Sequence, residues 1–189
     1  MKMAAVLVAA GSGVRAGGEI PKQYRMLSGK PVIAWSIQAL SEAGVNPIVA
    51  VIAPEHEEFF RTATGGENIV VRTVAGGAAR TDSVRAGLTA LTGDAPDIVL
   101  IHDAARPGLS PPLIRALARE LEHGAGGVAP ALPLTDALHR VDEAMRVQGE
   151  APRMGLMRVQ TPQAFRYASI RDAYARLAAG ETYEDDLDV

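Results

Sequence analysis

An uncharged apolar run, Met3-Ala-Ala-Val-Leu-Val-Ala-Ala10, breaks into the glycine-rich segment Gly11-Ser-Gly-Val-Arg15-Ala-Gly-Gly18 and then Pro21-Lys22-Gln23. A run with no polar alternation reads as a strand buried on both faces, as in parallel sheets covered by helices. Glycines let backbone N–H groups approach an anion closely, and two cations, Arg15 and Lys22, suit a polyphosphate better than one. The segment points to a nucleotide triphosphate. Two other readings compete with it. One is a flexible turn without a ligand. The other is a dinucleotide fingerprint, since Gly11-x-Gly13-x-x-Ala16 fits the spacing. That fingerprint must open a helix directly and place an acid about 20 residues on. Here Gly17, Gly18 and Pro21 keep the chain irregular, the next helical pattern starts near Pro31, and residues 31–35 hold no acid. No Gly-Lys-Ser/Thr follows, which excludes a Walker A loop.

Strands and helices alternate through most of the chain. Pro31 opens a helix with the stripe Ile33, Ile37 and Leu40, ended by Gly44, and Pro47–Ala53 reads as a second buried strand. A short helix from Pro54, a strand from Asn68 to Val74 and the Gly76-Gly77 turn follow. Next come a helix carrying Val84, Leu88 and Leu91 and a strand from Asp97 to His102. Ser110 is placed to cap a helix with Leu113, Leu117 and Leu121, and Gly126–Pro130 begins another strand. This order predicts an α/β protein with a doubly wound, mostly parallel sheet. At 189 residues the chain fits one domain with a good core. Cysteine is absent, which excludes disulfides, thiol nucleophiles and thiolate zinc sites. A formal charge of −3 gives no electrostatic argument for nucleic acid or an anionic membrane, neither is expected as a partner, and no run reaches membrane-spanning length. A cytoplasmic protein is expected.

The alternation stops between Pro133 and Arg158. Ala137–Val141 and Met145–Val147 alternate about Asp142-Glu143, as an exposed hairpin would; a mobile loop is the competing reading. A hairpin projecting alone has too few contacts to be stable, so a partner chain is the expected cover. Val159-Gln-Thr-Pro-Gln163, a helix from Ile170 to Leu177 and the acidic stretch Tyr183–Val189 close the sequence.

Ligands of open parallel sheets bind beyond the carboxyl ends of the strands, so those loops carry the chemistry. The first holds Arg15 and Lys22. The second, Ala75-Gly-Gly-Ala-Ala-Arg80-Thr-Asp-Ser83, has small residues that leave room for a flat base and a Ser83 hydroxyl to meet its edge. Helix capping by Thr81, Asp82 or Ser83 is the alternative. The third is His102-Asp103-Ala-Ala-Arg106-Pro107. There Asp103 can hold a metal–phosphate group or sugar hydroxyls, and Arg106 a second anion; an Asp103–Arg106 ion pair is the structural alternative.

Taken in order from Met3 to about Asp186, five motifs resemble one family. They are Ala-Ala-Gly-x-Gly-x-Arg, Pro-Lys-Gln-Tyr, Asp-Ser-Val-x-Ala-Gly-Leu, His-Asp-Ala-Ala-Arg-Pro and Thr-Pro-Gln. The family is 2-C-methyl-D-erythritol 4-phosphate cytidylyltransferase. The resemblance implies a Rossmann-like nucleotidyltransferase fold over residues 1–189 and a homodimerising arm near residues 133–158. It implies transfer of CMP from CTP to methylerythritol phosphate, with pyrophosphate released and Mg²⁺ carried with the CTP. By position, Arg15 and Lys22 match transition-state cations. Ala9, Ala10, Gly11, Ser12 and Gly13 match the nucleotide-cradling loop. Gly77, Ala78, Ser83 and Ala104 match further nucleotide contacts, Gly77 and Ser83 at the cytosine. Asp103, Arg106, Ala137 and Thr161 match the acceptor side, with Asp103 a candidate metal contact, and Arg153 matches the arginine that positions the acceptor phosphate in the neighbouring subunit's site. A ribitol- or other pentitol-phosphate cytidylyltransferase, or a nucleotide-binding module without turnover, are the other readings.

The chain departs from the family pattern at Ala78, where an acid is usual, and at Ala137 and Glu184, where threonines are usual. The family's closing strand, with an Asn-Ile-Lys-x-Thr segment whose lysine positions the acceptor, falls after Val189. The expectation is a truncated chain or the first part of a longer polypeptide, weak or inactive by itself while its parent turns over.

Overall fold

Every residue of β1 (Met3–Ala9) is apolar because both of its faces are covered. Ala5, Leu7 and Ala9 enter the core on one side of the sheet, Ala4 and Val6 the core on the other. The computed structural model describes residues 1–11, 20–65, 69–178 and 180–189. β2 (Met26–Leu27) and β3 (Lys30–Pro31) form a small ladder of their own. β4 (Ile48–Ile52) and β6 (Ile98–Asp103) flank β1 in parallel, with Leu7 opposite both Ala50 and His102. β5 (Val71–Ala75) runs parallel outside β4. β12 (Gln163–Arg166) pairs antiparallel with β6, and β7 (Gly127–Val128) with β12. The six-stranded order is β5-β4-β1-β6-β12-β7.

Helices cover both faces. α1 (Val32–Glu42), α2 (Glu57–Thr64) and α4 (Pro111–Glu122) contribute Ile33, Ile37, Leu40, Phe60, Ile114 and Leu121 to one core. α3 (Arg80–Ala90) and α5 (Tyr167–Arg176) contribute Val84, Leu88, Ile170 and Tyr174 to the other. The doubly wound α/β architecture is as expected, with local corrections. The strand expected from Asn68 begins at Val71, Asn68 itself lying outside the described residues. β12 was not expected, because four residues opening on a glutamine carry too little period to be read. Ser110 sits at the N-cap of α4 but makes no side-chain capping bond. Prolines at the first two helical positions remove donors that a cap would satisfy.

α3 approaches the sheet over Gly87. A Cβ there would stand 2.4 Å from Cγ1 of Val6 and 3.0 Å from Cγ2 of Val51, both valines being fully buried. Alanine gains about 1 kcal/mol of helix propensity, against an overpacking cost of about 1–3 kcal/mol. Gly87→Ala should therefore lower the melting temperature by a few degrees, and Gly87→Val by more; a rise in either would show that α3 can move off the sheet.

The arm is longer than the sequence suggests. Its stem pairs β8 (Ala131–Pro133) with β11 (Met157–Val159), and its tip pairs β9 (Leu138–Val141) with β10 (Val147–Ala151). The expected strand Met145–Val147 starts only at Val147, with Met145 in the turn at φ 61°. Asp142 organises that turn, its carboxylate accepting the N–H groups of Ala144 at 3.0 Å and Arg146 at 2.9 Å. Leu138 is half-buried, whereas Leu132, Val141, Val147, Met154, Leu156 and Met157 are exposed.

Candidate active site

A cleft of about 590 Å³ opens at the carboxyl ends of β1 and β6. Three segments line most of it, the end of β1 with the Lys22 turn, the turn before α3 and the turn after β6, and Glu184 from the acidic stretch completes the wall. Lys22 begins a single 3₁₀ turn, Lys22–Tyr24, that the next two side chains anchor. Gln23 is buried and donates from Nε2 to the carbonyls of Ala9 at 2.7 Å and Gly11 at 3.1 Å. Tyr24 stacks on Phe59 and meets His56 edge-on. The ammonium group of Lys22 is thus carried on a fixed backbone beside the first strand.

The turn before α3 presses against that strand. A Cβ on Gly76 would lie 2.3 Å from the Cβ of Ala10, so only glycine lets the two loops meet here. Ser83 closes the turn, accepting the Gly77 N–H at 3.2 Å and donating to the Ala79 carbonyl at 3.2 Å. Asp82 accepts the Ala79 N–H at 3.2 Å. The capping and base-edge readings of this segment are therefore compatible: Asp82 serves the helix, and Ser83 lines the cleft with one lone pair left unused by these bonds.

Beyond β6, Asp103 lies between two guanidinium groups. Arg106 Nε donates to Oδ2 at 2.9 Å, and Arg80 Nε lies 3.5 Å from Oδ1. The Asp103–Arg106 ion pair does form, and it orients both groups at the cleft wall. Arg106 also donates to the side chain of Gln160.

Of the expected site residues, Ala9, Ala10, Gly11, Lys22, Gly77, Ala78, Ser83, Asp103 and Arg106 come together on this cleft. Ser12, Gly13 and Arg15 lie outside the described residues. Ala104 is fully buried with its N–H bonded to the Val8 carbonyl, and Ala105 takes the lining position instead. Thr161 turns inward: its hydroxyl accepts the Asp103 N–H at 3.2 Å and lies 2.9 Å from His102 Nδ1. Ala137 and Arg153 belong to the arm, not to the cleft lining of their own chain, and Arg153 donates to the Thr135 carbonyl.

Arg80 was missed. It opens α3, where a cation meets the positive end of the helix and needs a counter-charge. Asp186, buried in the acidic stretch, supplies it through paired bonds of 2.9 and 2.7 Å and also accepts from Tyr174. Burial opposes the charge on Arg80, but its bonds to Asp186 and the fields of Asp186 and Asp103 raise its pKa overall. The signal in the sequence was an arginine just past a glycine turn; its partner is 106 residues away.

The family model for 2-C-methyl-D-erythritol 4-phosphate cytidylyltransferase matches residues 3–189. The chain belongs to this family. Over 190 residues it is 45% identical to the 2-C-methyl-D-erythritol 4-phosphate cytidylyltransferase of Cereibacter sphaeroides, covering 100% of this chain and 83% of that one. It is 46% identical to the bifunctional enzyme IspD/IspF of Rhodopseudomonas palustris, covering 98% of this chain and 47% of that protein. Among solved structures, the 2-C-methyl-D-erythritol 4-phosphate cytidylyltransferase from Thermus thermophilus superimposes with a TM-score of 0.77 at 28% identity, over 100% of this chain and 82% of that one. The 4-diphosphocytidyl-2C-methyl-D-erythritol synthase from Anaerococcus prevotii gives a TM-score of 0.81 at 26% identity, over 99% and 81% of the two chains. As a member of this cytidylyltransferase family the chain is an enzyme, a nucleotidyltransferase. No helix among the described residues is long and apolar enough to cross a membrane.

Proposed function

We propose that this cleft transfers CMP from CTP to 2-C-methyl-D-erythritol 4-phosphate, a step of isoprenoid precursor synthesis. The observation that carries the assignment of residues is the convergence of the Lys22, Gly77–Ser83 and Asp103–Arg106 segments on one cleft in a chain of this family. A phosphate oxygen of the acceptor attacks the α-phosphorus of CTP in line. The bond to the bridging oxygen breaks, and its electron pair leaves with pyrophosphate. Lys22, and Arg15 on the strength of its motif, neutralise charge that builds on the α-phosphoryl oxygens and the leaving group. The backbone at Ala9, Ala10 and Gly11 cradles the phosphates, with Ser12 and Gly13 assigned to the same loop on the strength of their motif alone. Gly77 and Ala78 border the cytosine, and the remaining lone pair of Ser83 accepts from its amino group. Asp103 and Arg106 face the acceptor. Arg153 reaches the cleft of a second copy, so the working unit is a homodimer joined through the arms.

The donors present fit Mg²⁺ held largely by substrate. No cluster of three or more potential metal ligands occurs among the described residues, and Asp103 and Glu184 are the carboxylates that line the cleft. Mg²⁺ commonly takes one or two carboxylates plus substrate phosphates, and bound there it would neutralise phosphate charge. A cytoplasmic location is part of this reading.

Pyrophosphate release from CTP by the full-length protein tests the reading, with methylerythritol phosphate and ribitol 5-phosphate compared as acceptors. Turnover is expected with methylerythritol phosphate and Mg²⁺, and a large loss on adding EDTA. Turnover only with ribitol phosphate would overturn the acceptor, and undiminished turnover in EDTA the metal.

A further inference from the structure

We propose that His102 is a positioning residue for the reaction, holding the Asp103–Arg106 turn in its working shape through Thr161 on one side and the Arg106 carbonyl on the other. This rests on the reading of Asp103 and Arg106 as the acceptor side of the cleft. His102 follows Ile98-Val-Leu-Ile101 in β6 and is fully buried. An apolar residue would continue that pattern at no polar cost, so packing alone does not account for an imidazole there.

Both ring nitrogens are bonded. Nε2 lies 3.0 Å from the Arg106 carbonyl oxygen and 3.3 Å from Ser36 Oγ, and Nδ1 lies 2.9 Å from Thr161 Oγ1. A carbonyl only accepts, so Nε2 carries the hydrogen. In the neutral imidazole a hydrogen on Nε2 leaves Nδ1 as the acceptor, 2.9 Å from the Thr161 hydroxyl. Thr161 must then donate to Nδ1, which leaves its oxygen to accept the Asp103 N–H at 3.2 Å. Every hydrogen in the set has one direction.

This bracket grips both ends of the turn. The Asp103 N–H is held through Thr161, and the Arg106 carbonyl is held by the ring and by the Ser36 hydroxyl at 3.3 Å. The Arg106 N–H closes the turn on the Asp103 carbonyl at 3.0 Å. Fixing these backbone groups fixes the directions of the Asp103 carboxylate and the Arg106 guanidinium at the cleft wall. Thr161 therefore acts through His102 and Asp103, and its hydroxyl is engaged away from the acceptor.

The test uses the full-length protein with His102→Leu, His102→Gln and Thr161→Val. His102→Leu removes both bonds, whereas His102→Gln can still reach the Arg106 carbonyl. The expected result for His102→Leu is a roughly ten- to hundredfold loss of kcat/KM for the acceptor, with KM for CTP within about twofold. His102→Gln should recover part of the loss, and Thr161→Val combined with His102→Leu should be little worse than His102→Leu alone. Folded His102→Leu with wild-type kcat/KM for the acceptor would overturn the proposal, as would a rise in KM for CTP as large as the loss of kcat/KM for the acceptor. Should His102→Leu fail to fold, the same criteria apply to His102→Gln and Thr161→Val. A readout independent of turnover keeps this separate from the acceptor assignment. The ¹⁵N shifts of the His102 ring should report an Nε2–H tautomer at pH 7 that is perturbed in Thr161→Val. An Nδ1–H tautomer or an imidazolium would sink the bracket whatever the enzyme turns over.

Discussion

Lys22→Ala should lower kcat roughly a hundred- to a thousandfold, the loss of about 3–4 kcal/mol expected when one preorganised charge contact to a transition state is removed. The fold should survive the change. The turn that carries Lys22 is anchored by Gln23 on the Ala9 and Gly11 carbonyls and by Tyr24 on Phe59, and the lysine side chain itself is exposed. Alanine removes the charge and leaves each anchor in place, so melting temperature and CTP affinity should change little. Arg15→Ala is expected to behave alike. The split between parameters is the check. A rise in KM for CTP with kcat untouched would mean that the lysine binds ground state and transition state equally. An unchanged enzyme would mean a solvated loop charge.

Arg153→Ala should also abolish most activity, yet recover when mixed with Lys22→Ala. Arg153 does not line the cleft of its own chain, and the arm that carries it exposes Leu132, Val141, Val147, Met154, Leu156 and Met157. A lone hairpin with such a surface gains stability from a second copy, and twofold pairing is the commonest way to supply one. If the arms exchange, one site of each heterodimer combines an intact Lys22 with an intact Arg153. Random exchange of equal amounts makes half the dimers mixed, so about a quarter of wild-type activity should return. Exchange is verified by mass spectrometry of the intact dimers. Zero activity after confirmed exchange, or a fully active monomer by sedimentation, would rule out the shared site.

How much of this was legible depends on the range of the interaction. The α1 stripe Ile33, Ile37 and Leu40 was read from spacing and is fully buried, because a helix repeats its core face every few residues. The glycines at 76 and 77 marked a turn, and the turn packs where only glycine fits. β12 was not legible. It is held in the sheet by β6 and β7, and its Gln163 is buried because the amide donates to Asp185 at 2.8 Å and accepts the Asp186 N–H at 3.0 Å.

The sequence by itself determined the layered α/β architecture, the loops that form the site and the family, since apolar period, glycine placement and ordered motifs are local properties of the chain. Only the tertiary structure decided what each polar group in those loops does. Ser83 could cap or contact a base, Asp103 could pair or stand free, and Thr161 could face a substrate or the interior. Ser83 finds its partners within its own turn and Asp103 pairs with nearby Arg106, but others depend on partners far along the chain: Asp186 for Arg80, Thr161 for His102, Arg80 for Asp103. A buried polar group must find its partner in space, and nothing in local periodicity says which of several acids or hydroxyls the fold will bring within 3 Å.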